Sequence, residues 1–430
     1  PSMIPASPKA TASTSVGPGR EVNTISDCSA TSLGVSVQGV VGHAPAHGAQ
    51  PDKPYPHLVL RSGRPPALVC SCLAGANIAW LRAGGLPELR SLRCGVEYPR
   101  THRIKRERDL NMVDQQEKLW TFDAVEPGQV GNETIVEITA KNISEYARLA
   151  LNDSPSYHPD AGSLVAMPTM VLSYAPLLRE EIAEANGFVA FEVSKTARSQ
   201  TPFAKCEIRW FHPVVPGDTI AGRRRVLEKY ERRGSKFVTF RVEAVNQRGE
   251  VAAEYDYTCI FEYAKGKREV PSQENSPQAA APLLATPSLL DFPEVSIGDA
   301  LDELDITESQ EIMNRKNDFR LAGRRNDSNI HTDEEFAKQN IFAGTTNSGP
   351  ATMSYVDQML ELSFPASSFY SGGSLLMRAI TPFRSGDTVT FQGEITGKSE
   401  EGGKKVLECR VKGINQRDEL VCLSDASLSP

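Results

Sequence analysis

No apolar run in this 430-residue chain reaches the ~20 residues that a membrane-spanning helix needs. The nearest, Ala67 to Leu81, is bracketed by Arg64 and Arg82 and holds two cysteines and an asparagine. It also lies too far into the chain for a signal peptide. Cysteine spacing is equally uninformative of metal. Eight are present, at 28, 70, 72, 94, 206, 259, 409 and 422, and no Cys-x-x-Cys pair with a nearby histidine completes a zinc pattern. Neither a Gly-x-Ser-x-Gly elbow nor a Gly-x-Gly-x-x-Gly dinucleotide loop occurs. A surplus of positive charge is missing too. The formal net charge of −7 argues against a nucleic-acid-coating surface. With 40% hydrophobic and 23% charged residues, the composition is that of an ordinary globular protein. Cys206, Cys259, Cys409 and Cys422 sit in strand-like stretches, where a free thiol packs as a small hydrophobe. A reducing, cytoplasmic setting is expected.

Residues 1–111 differ from the rest. Pro, Gly, Ala, Ser and Arg dominate, and no apolar period extends over any useful length. Such a stretch cannot bury enough apolar surface to offset its ordering entropy. It reads as a disordered extension, a targeting piece or an artefact of where the gene start was placed, with Met112 a more natural beginning. Residues 112–264 then form one module and 294–430 a second. Between them, 265–293 is a linker punctuated by Pro271, Pro277, Pro282, Pro287 and Pro293.

The two modules are a repeat. Arg241-Val242-Glu243-Ala244-Val245-Asn246-Gln247-Arg248 aligns with Arg410-Val411-Lys412-Gly413-Ile414-Asn415-Gln416-Arg417, five identities in eight, at an offset of 169. Gly217-Asp218-Thr219-Ile220 aligns with Gly386-Asp387-Thr388-Val389 at that same offset. Period-two segments follow in the first module: Val238, Phe240, Val242 and Ala244 share one strand face, and Ala253, Tyr255, Tyr257, Cys259 and Phe261 another. Met170 to Ala185 has apolar residues at helical spacing, interrupted by Pro176 and stopped by Gly187. The expected unit is α+β: a loop, one long helix and an antiparallel sheet that wraps it, the two copies packed as a pseudo-dimer. Gly393 to Ser399 resembles a phosphate-binding loop but is one residue short and precedes a strand pattern, so a hairpin turn is expected there.

Chemistry concentrates in Asn326-Asp327-Ser328-Asn329-Ile330-His331, which places an acid, two amides and a histidine within six residues. Histidine is scarce, seven in all, and its near-neutral pKa suits proton transfer. A turn bracketed by Gly344 and Gly349 leads into the apolar segment Met353 to Leu362. There a backbone N–H at a helix start can hold a developing negative charge. The corresponding first-module loop carries Asp153 and His158, but its turn, Leu164 to Pro168, has no glycine. The second module is therefore expected to be the working half. His212, beside Trp210 and Phe211, reads as a strand-edge residue. Arg223, Arg224, Arg225, Lys229, Arg232 and Arg233 read as a solvated strand-and-hairpin face, the alternative being a contact with the phosphates of a cofactor-like substrate tail.

At these residues the chain resembles the MaoC-like family of R-specific enoyl-CoA hydratases and dehydratases. The resemblance covers about 112–430 in the double-hotdog form, two long helices each wrapped by an antiparallel sheet. The Ile330-His331-Thr332-Asp333-Glu334-Glu335-Phe336-Ala337 stretch, Gly344, Gly349 and the Gly-Asp-Thr strand starts carry it. Counted back from His331 without a gap, the family's aspartate falls on Asn326, its asparagine on Ser328 and its proline on Asn329. Asp327 takes the acid's place if the loop is one residue tighter. The resemblance implies a hydro-lyase that adds water to a trans-2-enoyl thioester, or removes it from a 3-hydroxyacyl thioester, with no cofactor or metal. It implies Asp327 and His331 as the catalytic pair, Gly349 as oxyanion donor, Asn326 and Ser328 as substrate contacts, and Asp153 and His158 as secondary candidates. The partner implied is an acyl-CoA or carrier-bound acyl thioester, with no nucleic acid or membrane and with a homodimer open. A hotdog thioesterase or a non-catalytic acyl-thioester binder is the alternative.

Overall fold

The computed structural model describes residues 117–270 and 288–430. The expected extension over 1–111 and most of the linker lie outside the described residues. In the first module, β1 (Thr134–Glu137) leads into α1 (Ala140–Leu149), followed by α2 (Val171–Tyr174) and α3 (Arg179–Ala185). Strands β2 (Phe203–Trp210), β3 (Thr219–Arg232), β4 (Ser235–Val245) and β5 (Val251–Glu262) complete it. The second module repeats the order with β6 (Leu304–Thr307), α4 (Gln310–Asp318), α5 (Glu334–Gln339) and α6 (Gly349–Glu361). It closes with β7 (Ser374–Ala379), β8 (Thr388–Glu401), β9 (Lys404–Asn415) and β10 (Leu420–Leu428).

All ten strands join in one antiparallel sheet, in the order β1-β3-β4-β5-β2-β7-β10-β9-β8-β6. The two modules meet at β2 and β7, where Glu207 pairs with Leu376, its own counterpart at the repeat offset. On either side the pairs are reciprocal, Lys205 with Arg378 and Arg209 with Ser374. A duplicated sequence has thus folded around a local two-fold axis through that pair, as an isologous dimer interface would.

The strand faces follow the period-two pattern. Val238, Phe240, Val242 and Ala244 are fully buried, as are Ala253, Tyr255 and Cys259 of β5. All four cysteines of the described strands are free and buried. The expected hairpin turn at Gly393–Ser399 is corrected: those residues lie inside β8, and the chain reverses at Gly402 and Gly403, both at positive φ.

The long helix is intact in one module only. α6 is capped by Ser348, whose side chain accepts the Ala351 N–H at 3.2 Å, and Pro350 stands in its first turn. Met353, Tyr355, Val356, Met359 and Leu360 are buried on it, and Thr169 of the first module hydrogen-bonds to its Asp357, so it is covered on more than one face. The matching run in the first module is split into α2 and α3. Pro176 offers no N–H to continue a helix, and Leu178 just beyond it takes a left-handed φ of 47°.

Candidate functional site

His331 stands at the neck between two cavities. The first, about 350 Å³, runs beneath β2, β5 and β7 toward Arg232, Arg233, Lys265 and Arg268. The second, about 400 Å³, extends over the broken helix of the first module, past Leu172, Leu177, Leu178 and Leu321. Five residues line both: Arg179, Gln200, Tyr257, His331 and Asn347.

The residue is held at its ring and at both backbone polar groups. Its Nδ1 lies 2.8 Å from the Thr346 carbonyl oxygen. A carbonyl only accepts, so Nδ1 carries the proton and Nε2 the lone pair. The His331 N–H donates to Asn329 Oδ1 at 2.8 Å, and its carbonyl accepts from Gln310 Nε2 at 2.8 Å. Burial lowers the imidazole pKa to about 4; the Thr346 hydrogen bond opposes this, and the positive charges of Arg179 and Arg320 add to it. At neutral pH the ring is a neutral base with one free nitrogen.

The loop before it does not supply the expected acid. Asp327 points to solvent, 72% of its side chain exposed, and pairs with Arg325. It lines neither cavity. The local hydrogen bonds explain why. Asn326 Oδ1 accepts the Ser328 N–H at 3.2 Å, a turn that sends the intervening Asp327 outward. Asn329 Nδ2 then donates to Asn317 Oδ1 and to the Asn326 carbonyl, both at 2.9 Å, drawing the loop onto α4. Asn326 borders the second cavity and also accepts from Arg198 Nη2 at 3.2 Å. Ser328 lies outside both cavities and donates to Asp333, the cap residue of α5. The candidates of the first module are corrected as well. Asp153 and His158 are exposed and line neither cavity. Tyr157, between them, is buried and donates to Glu361 of α6, so this loop braces the second module. His212 is exposed, as expected of a strand edge.

Gly349 lies on the first cavity at the first position of α6, where the N–H precedes the intrahelical ladder. Its lack of a Cβ has a packing cause: a Cβ there would stand 2.3 Å from the Phe203 ring. The glycine admits β2 against the helix start.

Several cavity residues carried no sequence signal. Lys316, deep in the second cavity, contacts Glu308 Oε2 at 3.3 Å and Tyr355 Oη. Burial lowers its pKa to about 8, opposed by Glu308. Glu180, at the same cavity, has its pKa raised by burial against the pull of Arg179. Arg179 is tied to Glu192 at 3.0 Å. The arginines at 223–225 are spent on structure: Arg223 pairs with Glu133, Arg224 reaches Thr134, and Arg225 pairs with Glu243. Among the described residues, no helix is long and apolar enough to cross a membrane.

Comparison with known proteins agrees with this architecture. Residues 127–255 match the family model described as FAS1-like, dehydratase domain region. No curated protein matches the chain. A solved structure named MaoC-like dehydratase is 18% identical, with a TM-score of 0.52 over 70% of this chain and 98% of that one. A putative MaoC domain protein dehydratase from Chloroflexus aurantiacus is 16% identical, TM-score 0.49, over 73% and 98% of the two chains. A Mycobacterium tuberculosis protein described as having a double hotdog fold is 15% identical, TM-score 0.46, over 72% and 98%.

Proposed function

From a double-hotdog chain similar to the MaoC-like dehydratases, we propose that this protein is a hydro-lyase. It adds water to a trans-2-enoyl thioester or removes it from the 3-hydroxyacyl thioester. The observation that carries the reading is the His331 ring. Its Nδ1 is fixed on Thr346, which leaves Nε2 as a neutral base at the neck of two joined cavities.

A thioester fits the neck in one direction. Arg232, Arg233, Lys265 and Arg268 at the first cavity suit the phosphates of a CoA or phosphopantetheine carrier. The acyl end enters the second cavity, where Leu172, Leu177, Leu178 and Leu321 offer apolar wall beside polar groups such as Glu180, Lys316 and Asn326. The carbonyl then lies by Gly349, whose N–H at the start of α6 stabilises the enolate-like oxygen. Such a donor contributes about 2.7–4 kcal/mol. In hydration, His331 Nε2 takes one proton from water as the oxygen bonds to C3. The C2=C3 electrons move into the thioester enolate, and the same Nε2–H then protonates C2. General base action of this kind contributes about 10²–10⁴-fold. Asp327 has no part in it.

The test is to incubate the protein with a medium-chain trans-2-enoyl-CoA while following enoyl absorbance and free thiol together. Absorbance lost without thiol is the expected result. Thiol release makes the protein a thioesterase; binding with neither change makes it an acyl-thioester binder.

A further inference from the structure

The neck holds two side-chain amides that each have one polar atom buried without a partner among the described residues. Asn347 is 7% exposed, and its Nδ2 has no hydrogen-bond partner among the described residues. The amide is not free to turn over. Its Oδ1 accepts the Ser348 N–H at 3.0 Å, and a flip would set two donors against each other. The Asn347 backbone N–H is fixed as well, on the Phe383 carbonyl at 2.6 Å. Gln200, which lines the same two cavities, has its Oε1 likewise buried and unpartnered among the described residues, its backbone N–H anchored on Asn340 Oδ1 at 3.1 Å. A buried polar atom without a partner is costly and rare, so two at one place call for an occupant.

The occupant must both accept and donate, because Asn347 offers an N–H and Gln200 a lone pair. A hydroxyl or a water does so; a carbonyl oxygen does not. Position separates the two further. Gly349 lines the first cavity only, whereas Gln200 and Asn347 line both, with His331. In a thioester whose carbonyl carbon, C1, lies by Gly349, C3 is two bonds further toward the tail and so reaches the neck.

We infer that Gln200 and Asn347 together hold the oxygen carried on C3: the 3-hydroxyl of the hydroxyacyl thioester, or the water that becomes it. This rests on the hydro-lyase reading above and names its positioning groups. Asn347 Nδ2 donates to that oxygen and Gln200 Oε1 accepts the proton it keeps. In the water the second O–H points to His331 Nε2; in the 3-hydroxyl, whose other bond goes to C3, the oxygen faces Nε2 with a lone pair. Two amides, one from each module, thereby orient the water in place of the carboxylate that the 326–331 loop sends to solvent.

The test compares binding of a 3-hydroxyacyl-CoA with that of the saturated acyl-CoA of equal length. It uses the full chain carrying His331→Gln, so that neither ligand is converted. Expected is tighter binding of the hydroxyacyl form, with Asn347→Ala or Gln200→Met each weakening that form by about tenfold and leaving the saturated one within about twofold. Gln200→Met leaves the start of α6 untouched, so it keeps the test valid if Asn347→Ala misfolds. Equal loss for both ligands, or no preference for the hydroxyl before substitution, overturns the inference while the thioester site stands. Failure to bind either ligand overturns the thioester reading itself.

Discussion

His331 Nδ1 sits 2.8 Å from the carbonyl oxygen of Thr346, and that contact decides which ring nitrogen can act. Burial has already disfavoured the protonated ring. Activity should therefore persist well below neutral pH, because Nε2 is the working base only when unprotonated. As pH falls through about 4, kcat/KM should decline with an inflection there and not near 6.5. A pH profile taken over the range where the protein stays folded reads this directly. His331→Ala should lower turnover by about 10²–10⁴-fold with the fold retained. If His158→Ala did this instead, the working half would be the other one.

Asp327 offers a contrasting outcome. With 72% of its side chain in solvent and Arg325 as its ionic partner among the described residues, Asp327→Ala should leave kcat/KM within about twofold. Its stability effect should fall in the ~0–1 kcal/mol range of exposed ion pairs. A hundredfold loss of turnover would mean that the loop rearranges when substrate binds.

Gly349→Ala should destabilise the protein even without substrate. The new methyl would overlap the Phe203 ring, 2.3 Å from its Cγ, an overpacking that typically costs about 1–3 kcal/mol. Adding Phe203→Ala should recover part of that loss, giving a non-additive cycle in denaturant titration. Strict additivity would show that the two residues do not press on each other.

Asp357 of α6 should make stability depend on pH in a direction unusual for an aspartate. It is fully buried, and its Oδ2 accepts from the Thr169 N–H at 2.9 Å and Thr169 Oγ1 at 2.6 Å. Burial raises its pKa to about 7, and the Thr169 hydrogen bonds oppose this. Glu361, Tyr146, Tyr157 and Tyr370 are the other titratable groups coupled to it. Between its unfolded pKa near 3.8 and about 7, the native state binds the extra proton, so this group's contribution is lost as pH rises through that window. His331 acts oppositely over most of that window, between about 4 and 6.5, since a depressed imidazole pKa makes stability rise with pH. The comparison of wild type with Asp357→Asn isolates the aspartate: the variant should gain stability relative to wild type as pH goes from 5 to 8. Parallel melting curves at both pH values would count against a protonated Asp357.

Much of the architecture was open to reading because it is periodic. The offset between Arg241–Arg248 and Arg410–Arg417 announces a duplication, and the same offset reappears as the Glu207–Leu376 pair on the local axis. The alternation in β4 foretold which side chains are buried, since a strand has only two faces. Pro176 marked the break in the first helix, because a missing N–H is a property of the residue itself. His331 could be singled out by its rarity and by the glycine-flanked turn after it.

The direction in which Asp327 points was not legible. It depends on the turn in which Asn326 Oδ1 accepts the Ser328 N–H and on the Asn329 amide donating to Asn317 of α4, a partner that only the folded chain brings within reach. Gln200 and Asn347 lie 147 residues apart in sequence by their numbers; Asn347 falls in the glycine-flanked turn, but nothing in the sequence pairs it with Gln200. Their meeting at one neck follows from the pairing of β2 with β7. The sequence by itself determined the repeat, the strand faces, the broken helix and the histidine, all of which follow from local covalent and steric rules. Tertiary structure alone decided which polar groups were left facing the cavity unpaired, because hydrogen-bond satisfaction belongs to the whole packed interior.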